Sequence, residues 1–205
     1  AYILGYAAHI WEMFGFRTWV VAFLGVAFVH AGADPDAPRY AGLAPTQIAT
    51  VLLLLGMPAS ILGNEAAVRF GRRRVLKAVM ASSGLLACAL GLLMGGPVWL
   101  LLAVSAVYAV LMMADSAALT AGTVAAAADD RRGATMALHS LLGFGAGVVG
   151  PAVSGLALDL GGGPDRPSAW VGAFVVLGLG GLLGPAILAR VGRRGDPADP
   201  PRARA

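Results

Sequence analysis

The chain has 205 residues, of which 58% are hydrophobic and 13% are charged, and its mean hydropathy is +0.77. Soluble domains carry about 25% charged residues, so this balance excludes an ordinary water-soluble protein and indicates a membrane protein. The net charge of +4 would suggest nucleic acid as a partner in a soluble protein, but the positions of the basic residues exclude it.

Six apolar stretches fill most of the chain, and each is long enough for a helix to cross a bilayer, which takes roughly 17–25 residues. In chain order they cover residues 3–29, 45–62, 75–94, 98–127, 135–158 and 168–190. Many of the 29 glycines lie inside these stretches, where small residues let helices pack closely in lipid. The predicted fold class is an all-α membrane protein, a six-transmembrane-helix bundle over residues 1–190. A disordered cytoplasmic tail is predicted for residues 191–205.

The connecting segments differ sharply in charge. The first, third and fifth are short turns rich in Pro, Gly and Asp, and Ser168 is the predicted N-cap of the last helix. The second and fourth segments and the tail carry twelve of the 15 basic residues. Short basic segments stay in the cytoplasm, so both chain ends are predicted to be cytoplasmic in a multi-pass plasma (cytoplasmic) membrane protein.

A basic motif stands between the second and third stretches, Gly63-Asn-Glu-Ala-Ala-Val-Arg-Phe-Gly-Arg-Arg-Arg74. It resembles the signature loop of the major facilitator superfamily, which joins the second and third helices of each six-helix half. The matching positions in type and spacing are Arg69, Gly71, Arg72 and Arg73. Asn64 and Val68 depart from the pattern, where the family has Gly and an acidic residue, and this favours the second half of such a transporter.

Two further segments resemble the same family. Asp129-Asp-Arg-Arg-Gly133 is similar to the basic turn that enters the fifth helix of each half. Gly150-Pro151 is similar to the Gly-Pro motif in the fifth helix of proton-coupled antiporters, where it would be a hinge or a seal. The alternative is a kinked, tightly packed helix without a role in gating. Likewise, the basic motif either latches the cytoplasmic face or only sets the topology.

The resemblance implies one six-helix half, the C-terminal one, of a secondary transporter that moves a small solute by alternating access and couples this movement to protons. It also implies a missing N-terminal six-helix half, without which this chain would not transport. The absence of an initiating Met and of a basic leader ahead of the first helix fits a piece of a longer protein.

Ionisable residues inside a bilayer are costly and are therefore candidates for function. His9 and Glu12 share a helix face, so the carboxylate can pair with the imidazole in a proton-coupling site. Arg17 suits an anionic solute group, and its alternative is a buried pair with Asp115 or Glu12. Asp115 lies on a polar stripe with Thr120 and Thr123, unless the fourth helix ends earlier and makes it a loop residue.

The sequence gives little support to functional classes other than a transporter. His139 is interpreted as a hydrogen-bonded core histidine and Cys88 as a small buried hydrophobe. No cluster has metal-ligand spacing, and no Gly-rich loop follows a strand, so we expect no metal, no cofactor and no enzymatic activity. A six-helix subunit that binds or assembles without moving a solute is the alternative function, and a membrane enzyme is the weakest one.

Overall fold

The structure is a computed structural model that describes residues 1–190, and the predicted tail at 191–205 lies outside the described residues. The helices in chain order are α1 (Tyr2–His30), α2 (Pro45–Phe70), α3 (Arg72–Leu92), α4 (Val98–Ala114), α5 (Ser116–Ala126), α6 (Arg132–Leu160) and α7 (Pro167–Arg190). A 3₁₀ turn at Asp129–Arg131 precedes α6.

These elements form six apolar segments long enough to cross a membrane, which confirms the predicted six-helix bundle. Helices α4 and α5 together make the fourth segment, Val98–Ala126, because only Asp115 separates them. Aspartate is a poor residue for a helix interior, since its carboxylate competes for backbone donors. Its position accounts for the interruption.

Two predicted boundaries are corrected. Helix α2 continues to Phe70 rather than ending at residue 62, so the basic motif is a helix end and not a loop. A pair between Arg69 Nε and Glu65 Oε1, 2.8 Å apart at i,i+4 spacing, supports the additional turns. Gly71 alone joins α2 to α3, with a φ of 92° that favours glycine.

The last helix begins at Pro167, so Ser168 lies in its first turn and is not the N-cap. Proline suits the first helical position because the N–H that it lacks has no partner there in any case.

Helix α1 is central in the bundle and packs against α6 and α7, while α3 packs along α7. The α3–α7 contact depends on glycines. A Cβ built on Gly84 would lie 2.7 Å from Gly178 O, and one on Gly91 would lie 2.9 Å from Trp170 O. Such close backbone approach replaces the hydrophobic effect as the source of helix association in lipid.

The two ends of the bundle differ in charge. At one end Arg73 Nη1 donates to Leu188 O at 3.5 Å, and the guanidinium lies 5.9 Å from the centre of the Tyr2 ring. These contacts bring together the starts of α1 and α3 and the end of α7. We call this the basic end, since the α2–α3 joint, the α5–α6 segment and Arg190 all lie there.

Candidate functional site

Glu12 lies in the interior of the bundle, where α1 contacts α3 and α7. Its side chain is 2% exposed, and Ser83 Oγ on α3 lies 3.2 Å from Glu12 Oε2. Gly181 on α7 leaves room for the carboxylate, because a Cβ built there would lie 2.7 Å from Oε2. Among the described residues, neither Glu12 Oε1 nor the buried Tyr108 hydroxyl on α4 has a hydrogen-bond partner.

The Ser83 hydroxyl can satisfy Glu12 in either protonation state. Ser83 Oγ lies 3.0 Å from Met80 O as well as 3.2 Å from the carboxylate. A hydroxyl has one proton to donate and lone pairs to accept with. It can therefore donate a hydrogen bond to an ionised Glu12, or donate one to Met80 O and accept one from the O–H of a neutral Glu12.

His9 pairs with Asp115 and not with Glu12, which corrects the pairing expected from the sequence. His9 Nδ1 lies 2.7 Å from Asp115 Oδ1, and the two side chains are 1% and 3% exposed. The two atoms are at ion-pair distance but are not aligned for a hydrogen bond. Asp115 Oδ1 therefore has no hydrogen-bond partner among the described residues. On the other side of the imidazole, His9 Nε2 has no hydrogen-bond partner among the described residues.

Asp115 is held inside the membrane segment by the packing of α2. Gly63 on α2 lies directly against the Ala114 carbonyl, so the interruption between α4 and α5 is covered by a neighbouring helix. The interpretation of Asp115 as a loop residue outside the bundle is therefore wrong. Interrupted helices at mid-bundle are tolerated where they are buried in protein in this way.

Arg17 differs from the other three candidates because it is exposed on the surface of the described bundle. Its Nη2 lies 3.9 Å from Met113 Sδ, a weak acceptor. Neither of the predicted pairs, with Asp115 or with Glu12, is present in the structure of residues 1–190. The structure thus separates an interior cluster of Glu12, His9 and Asp115 from an accessible guanidinium.

His139 on α6 is buried, as expected for a core histidine. Its Nδ1 lies 3.2 Å from Thr123 Oγ1 on α5, and its ring stacks on Tyr6 with centroids 3.7 Å apart. The sequence did not single out Tyr6, Ser83 or Tyr108. Each lies in a mostly apolar helix, and only the packing decides which neighbour it contacts.

The Gly-Pro segment of α6 packs against α1. A Cβ on Gly150 would lie 2.7 Å from Trp11 O, and Trp19 Nε1 donates to Pro151 O at 3.0 Å. Pro151 lacks the N–H that would donate to Gly147 O, whereas Trp19 donates to the carbonyl of Pro151 itself.

Among residues 1–190, no group of three or more His, Cys, Asp or Glu is placed to hold a metal ion.

Six apolar helices with a buried polar cluster at mid-bundle define a multi-pass membrane protein. A family model described as Major Facilitator Superfamily matches residues 10–205. No curated protein is detectably similar in sequence to this chain. The chain belongs to the major facilitator superfamily, and its fold is that of a six-helix domain of a transporter of this type.

Proposed function

We propose that the chain is part of a secondary active transporter that moves a small solute by alternating access, coupled to protons. Glu12 is the central coupling group, and His9 and Asp115 are its protonatable neighbours. The observation that carries this proposal is the burial of Glu12 with one unpartnered oxygen and a Ser83 hydroxyl that can serve both protonation states. A carboxylate in such a place is costly unless it is protonated part of the time.

Arg17 is the proposed contact for an anionic group of the solute. It follows the interior cluster by about one helical turn and is exposed, with a methionine sulfur as its neighbour. A guanidinium binds carboxylate or phosphate with two parallel hydrogen bonds, so an exposed arginine at mid-helix suits an anion better than a cation.

A second six-helix half is the proposed partner. In the most apolar 18-residue stretch of α2, and likewise of α6, only 28% is buried within the bundle. The corresponding share in α1 and in α7 is 44%. Helices α2 and α6 therefore present the faces that another half would cover. Gly71, Arg69, Arg72 and Arg73 are proposed to latch the basic end in one conformation, and Gly150 and Pro151 to act as a hinge or seal. We place the basic end in the cytoplasm of a plasma membrane, and we propose no cofactor and no enzymatic activity.

The alternative is a non-transporting subunit, in which the same polar contacts only hold helices together. The His9–Asp115 pair, which joins α1 to the fourth segment, favours it because polar contacts between helices also stabilise bundles that move nothing.

Proton-driven flux separates these functions. The chain is reconstituted together with its proposed second six-helix half in proteoliposomes that contain a trapped pH-sensitive dye, and a panel of small organic anions and neutral solutes is added under a pH gradient. We expect at least one solute to dissipate the gradient, and Glu12→Gln to abolish that flux. Glutamine keeps the size of the side chain and a partner for Ser83, so loss of flux would not reflect loss of fold.

Asp36→Asn is the control, because Asp36 is an exposed carboxylate in the connection between α1 and α2. Its flux should equal that of the unmodified protein. An unchanged flux in Glu12→Gln would contradict the assignment of Glu12. The absence of gradient-linked flux for every solute would favour the non-transporting subunit.

A further inference from the structure

A cavity lies at the end of the bundle opposite the basic end, and the proposed function does not use it. Its volume is about 600 Å³, within the roughly 300–1,000 Å³ that is typical of small-molecule sites. Helix α1 contributes four apolar residues between Ala22 and Val29, and the connections α1–α2 and α6–α7 contribute Pro35, Pro38 and Pro164. The wall of the cavity is therefore mostly apolar.

The connection between α6 and α7 forms its part of the wall with a tight turn. Arg166 N donates to Gly163 O at 3.2 Å, so Pro164 and Asp165 are the two central residues of the turn. Proline suits the second position of such a turn, because its fixed φ is the one that the turn needs. The indole of the buried Trp170 donates to Pro164 O at 2.8 Å and ties the turn to α7. These contacts hold Asp165 beside the cavity.

The connection between α1 and α2 is built in a similar way. Ala37 N donates to Asp34 O at 3.2 Å, with Pro35 at the second position of that turn. The Tyr40 ring packs on Phe28 of α1 with centroids 5.7 Å apart. The cavity is therefore preformed, which lowers the entropic cost of binding a ligand there.

Two polar side chains line the cavity, His30 at the end of α1 and Asp165. Both residues are exposed, and within residues 1–190 neither side chain has an ion-pair or hydrogen-bond partner. Asp165 supplies a full negative charge. Helix α1 ends at His30, and the C-terminal end of a helix dipole adds a partial negative charge.

The arginines of the two connections do not neutralise this charge. Arg39 Nη1 donates to Gly42 O at 3.0 Å, and the side chain of Arg166 lies against Gly162, where a built Cβ would be 2.6 Å from Arg166 Cδ. Neither arginine lines the cavity. The cavity therefore combines an apolar wall with an unpaired carboxylate at Asp165.

We propose that this cavity binds an amphipathic organic cation, an amine with an apolar body. The apolar body lies against α1 and the three prolines. The ammonium group donates hydrogen bonds to the Asp165 carboxylate and to the neutral imidazole of His30. The site goes beyond the proposed function, because Arg17, the proposed contact for an anionic solute, is turned by about 140° around α1 from Ala22, the nearest lining residue in sequence.

Protection of a cysteine from alkylation tests the site and needs no flux. The protein is prepared with its proposed second half as for the flux measurement, but in nanodiscs and with Cys88→Ala. Val29→Cys then places the only thiol of this chain on the cavity wall. Its reaction with a water-soluble maleimide is followed by mass spectrometry in the presence of phenylbutylamine, phenylbutanol or phenylbutyrate. These compounds are similar in size and carry a positive, no or a negative charge.

We expect phenylbutylamine to slow the reaction at a lower concentration than phenylbutanol, and phenylbutyrate to protect least. Asp36→Cys should react at the same rate with and without each compound. Asp36 is exposed in the α1–α2 connection but does not line the cavity, so it reports any effect of the compounds on the bilayer or the reagent.

Asp165→Asn identifies the charge contact. It should raise the concentration of phenylbutylamine for half-protection by about threefold to fivefold, the modest effect expected for an exposed carboxylate, and leave that of phenylbutanol unchanged. Asp34→Asn is the matched control, because Asp34 is exposed at the same end and does not line the cavity. Asparagine keeps the hydrogen bond that Asp34 Oδ1 accepts from Asp36 N, so both concentrations should stay the same.

Ala22→Trp tests the cavity itself. Ala22 is exposed and lines the cavity, so the larger side chain can be accommodated while it fills the space. It should abolish the protection by all three compounds.

The absence of protection by phenylbutylamine, or equal protection by the amine and the alcohol, would overturn the inference. So would a preference for the amine that persists in Asp165→Asn. None of these measurements involves transport. The cation site therefore stands if no solute dissipates a pH gradient, and the proposed transport stands if the amine does not bind.

Discussion

At the scale of single residues, the interior polar groups are held by partners with more than one hydrogen-bonding option. Ser83 lies between Glu12 and Met80 O, and Thr123 lies between His139 and Leu119 O. A purely structural polar contact in lipid needs only one arrangement, because any unpaired state is costly there. Two available arrangements at both positions are what a group that changes protonation requires.

The His9–Asp115 contact makes a prediction about stability. Asp115→Ala leaves a buried imidazole without its anion, and we expect a loss of about 1–3 kcal/mol in the free energy of unfolding. His9→Ala should cost a similar amount, and the double variant should cost clearly less than the sum of the two. Denaturant titration of the detergent-solubilised protein measures all three. Additive losses would show that the two side chains do not interact.

Arg17 makes a prediction about affinity. Arg17→Ala should raise the KM for an anionic solute by about tenfold or more, because a charge-assisted hydrogen bond contributes about 1.5–3 kcal/mol. Arg17→Lys should give an intermediate value, since lysine keeps the charge and loses the planar fork. Uptake rates in proteoliposomes measure both, with Arg39→Ala in the first loop as the control. Equal KM values for all variants would remove Arg17 from the solute site.

At the scale of helices, close glycine contacts decide where the polar residues meet. Gly63 lets α2 approach the Ala114 carbonyl at the α4–α5 interruption, and Gly181 makes space for Glu12. Without these approaches Asp115 and Glu12 would be separated from the helices that now cover them. The glycines therefore contribute to the site although none of them carries a functional group.

Gly63→Ala and Gly145→Ala are matched variants that test whether close glycine contacts stabilise the bundle. A Cβ on Gly63 would overlap the backbone of Ala114, whereas a Cβ on Gly145 would have nothing within 4 Å. We expect Gly63→Ala to cost about 1–3 kcal/mol of stability, as overpacking commonly does. Gly145→Ala should be neutral within about 0.5 kcal/mol. Thermal unfolding in detergent measures the difference, and equal midpoints would argue against the close packing of α2 on the interruption.

At the scale of the whole molecule, the charge asymmetry predicts the orientation in the membrane. The basic residues of the described chain gather where α2 meets α3 and α5 meets α6, and acidic residues such as Asp34, Asp36 and Asp165 lie in connections at the opposite end. Charge in short connections sets the orientation of a membrane protein during insertion. The basic end should therefore face the cytoplasm.

Cysteine labelling tests this orientation, because Cys88 is the only cysteine in the sequence. In a Cys88→Ala background, a membrane-impermeant maleimide added to intact cells should label Asp36→Cys and not Lys77→Cys. Both should be labelled after permeabilisation, and the background alone should remain unlabelled. Labelling of Lys77→Cys in intact cells would reverse the proposed orientation.

The sequence alone predicted the class, the six membrane segments and the charge asymmetry. These features depend on local composition, since about 20 apolar residues in a row and clustered arginines act largely without reference to other segments. It also identified His9, Glu12, Arg17 and Asp115 as ionisable residues within the predicted segments. The extent of α2 was missed because the pair of Glu65 and Arg69 extends a helix beyond its apolar part.

Only the tertiary structure decided how these side chains are combined. His9 and Glu12 share a helix face, yet the imidazole meets Asp115 from the fourth segment, while Glu12 meets Ser83 from α3. Arg17 remained exposed, and His139 gained Thr123 and Tyr6 as neighbours. Spacing along one helix fixes which residues share a face, but the partner of a buried polar group depends on which helices the glycines allow to approach.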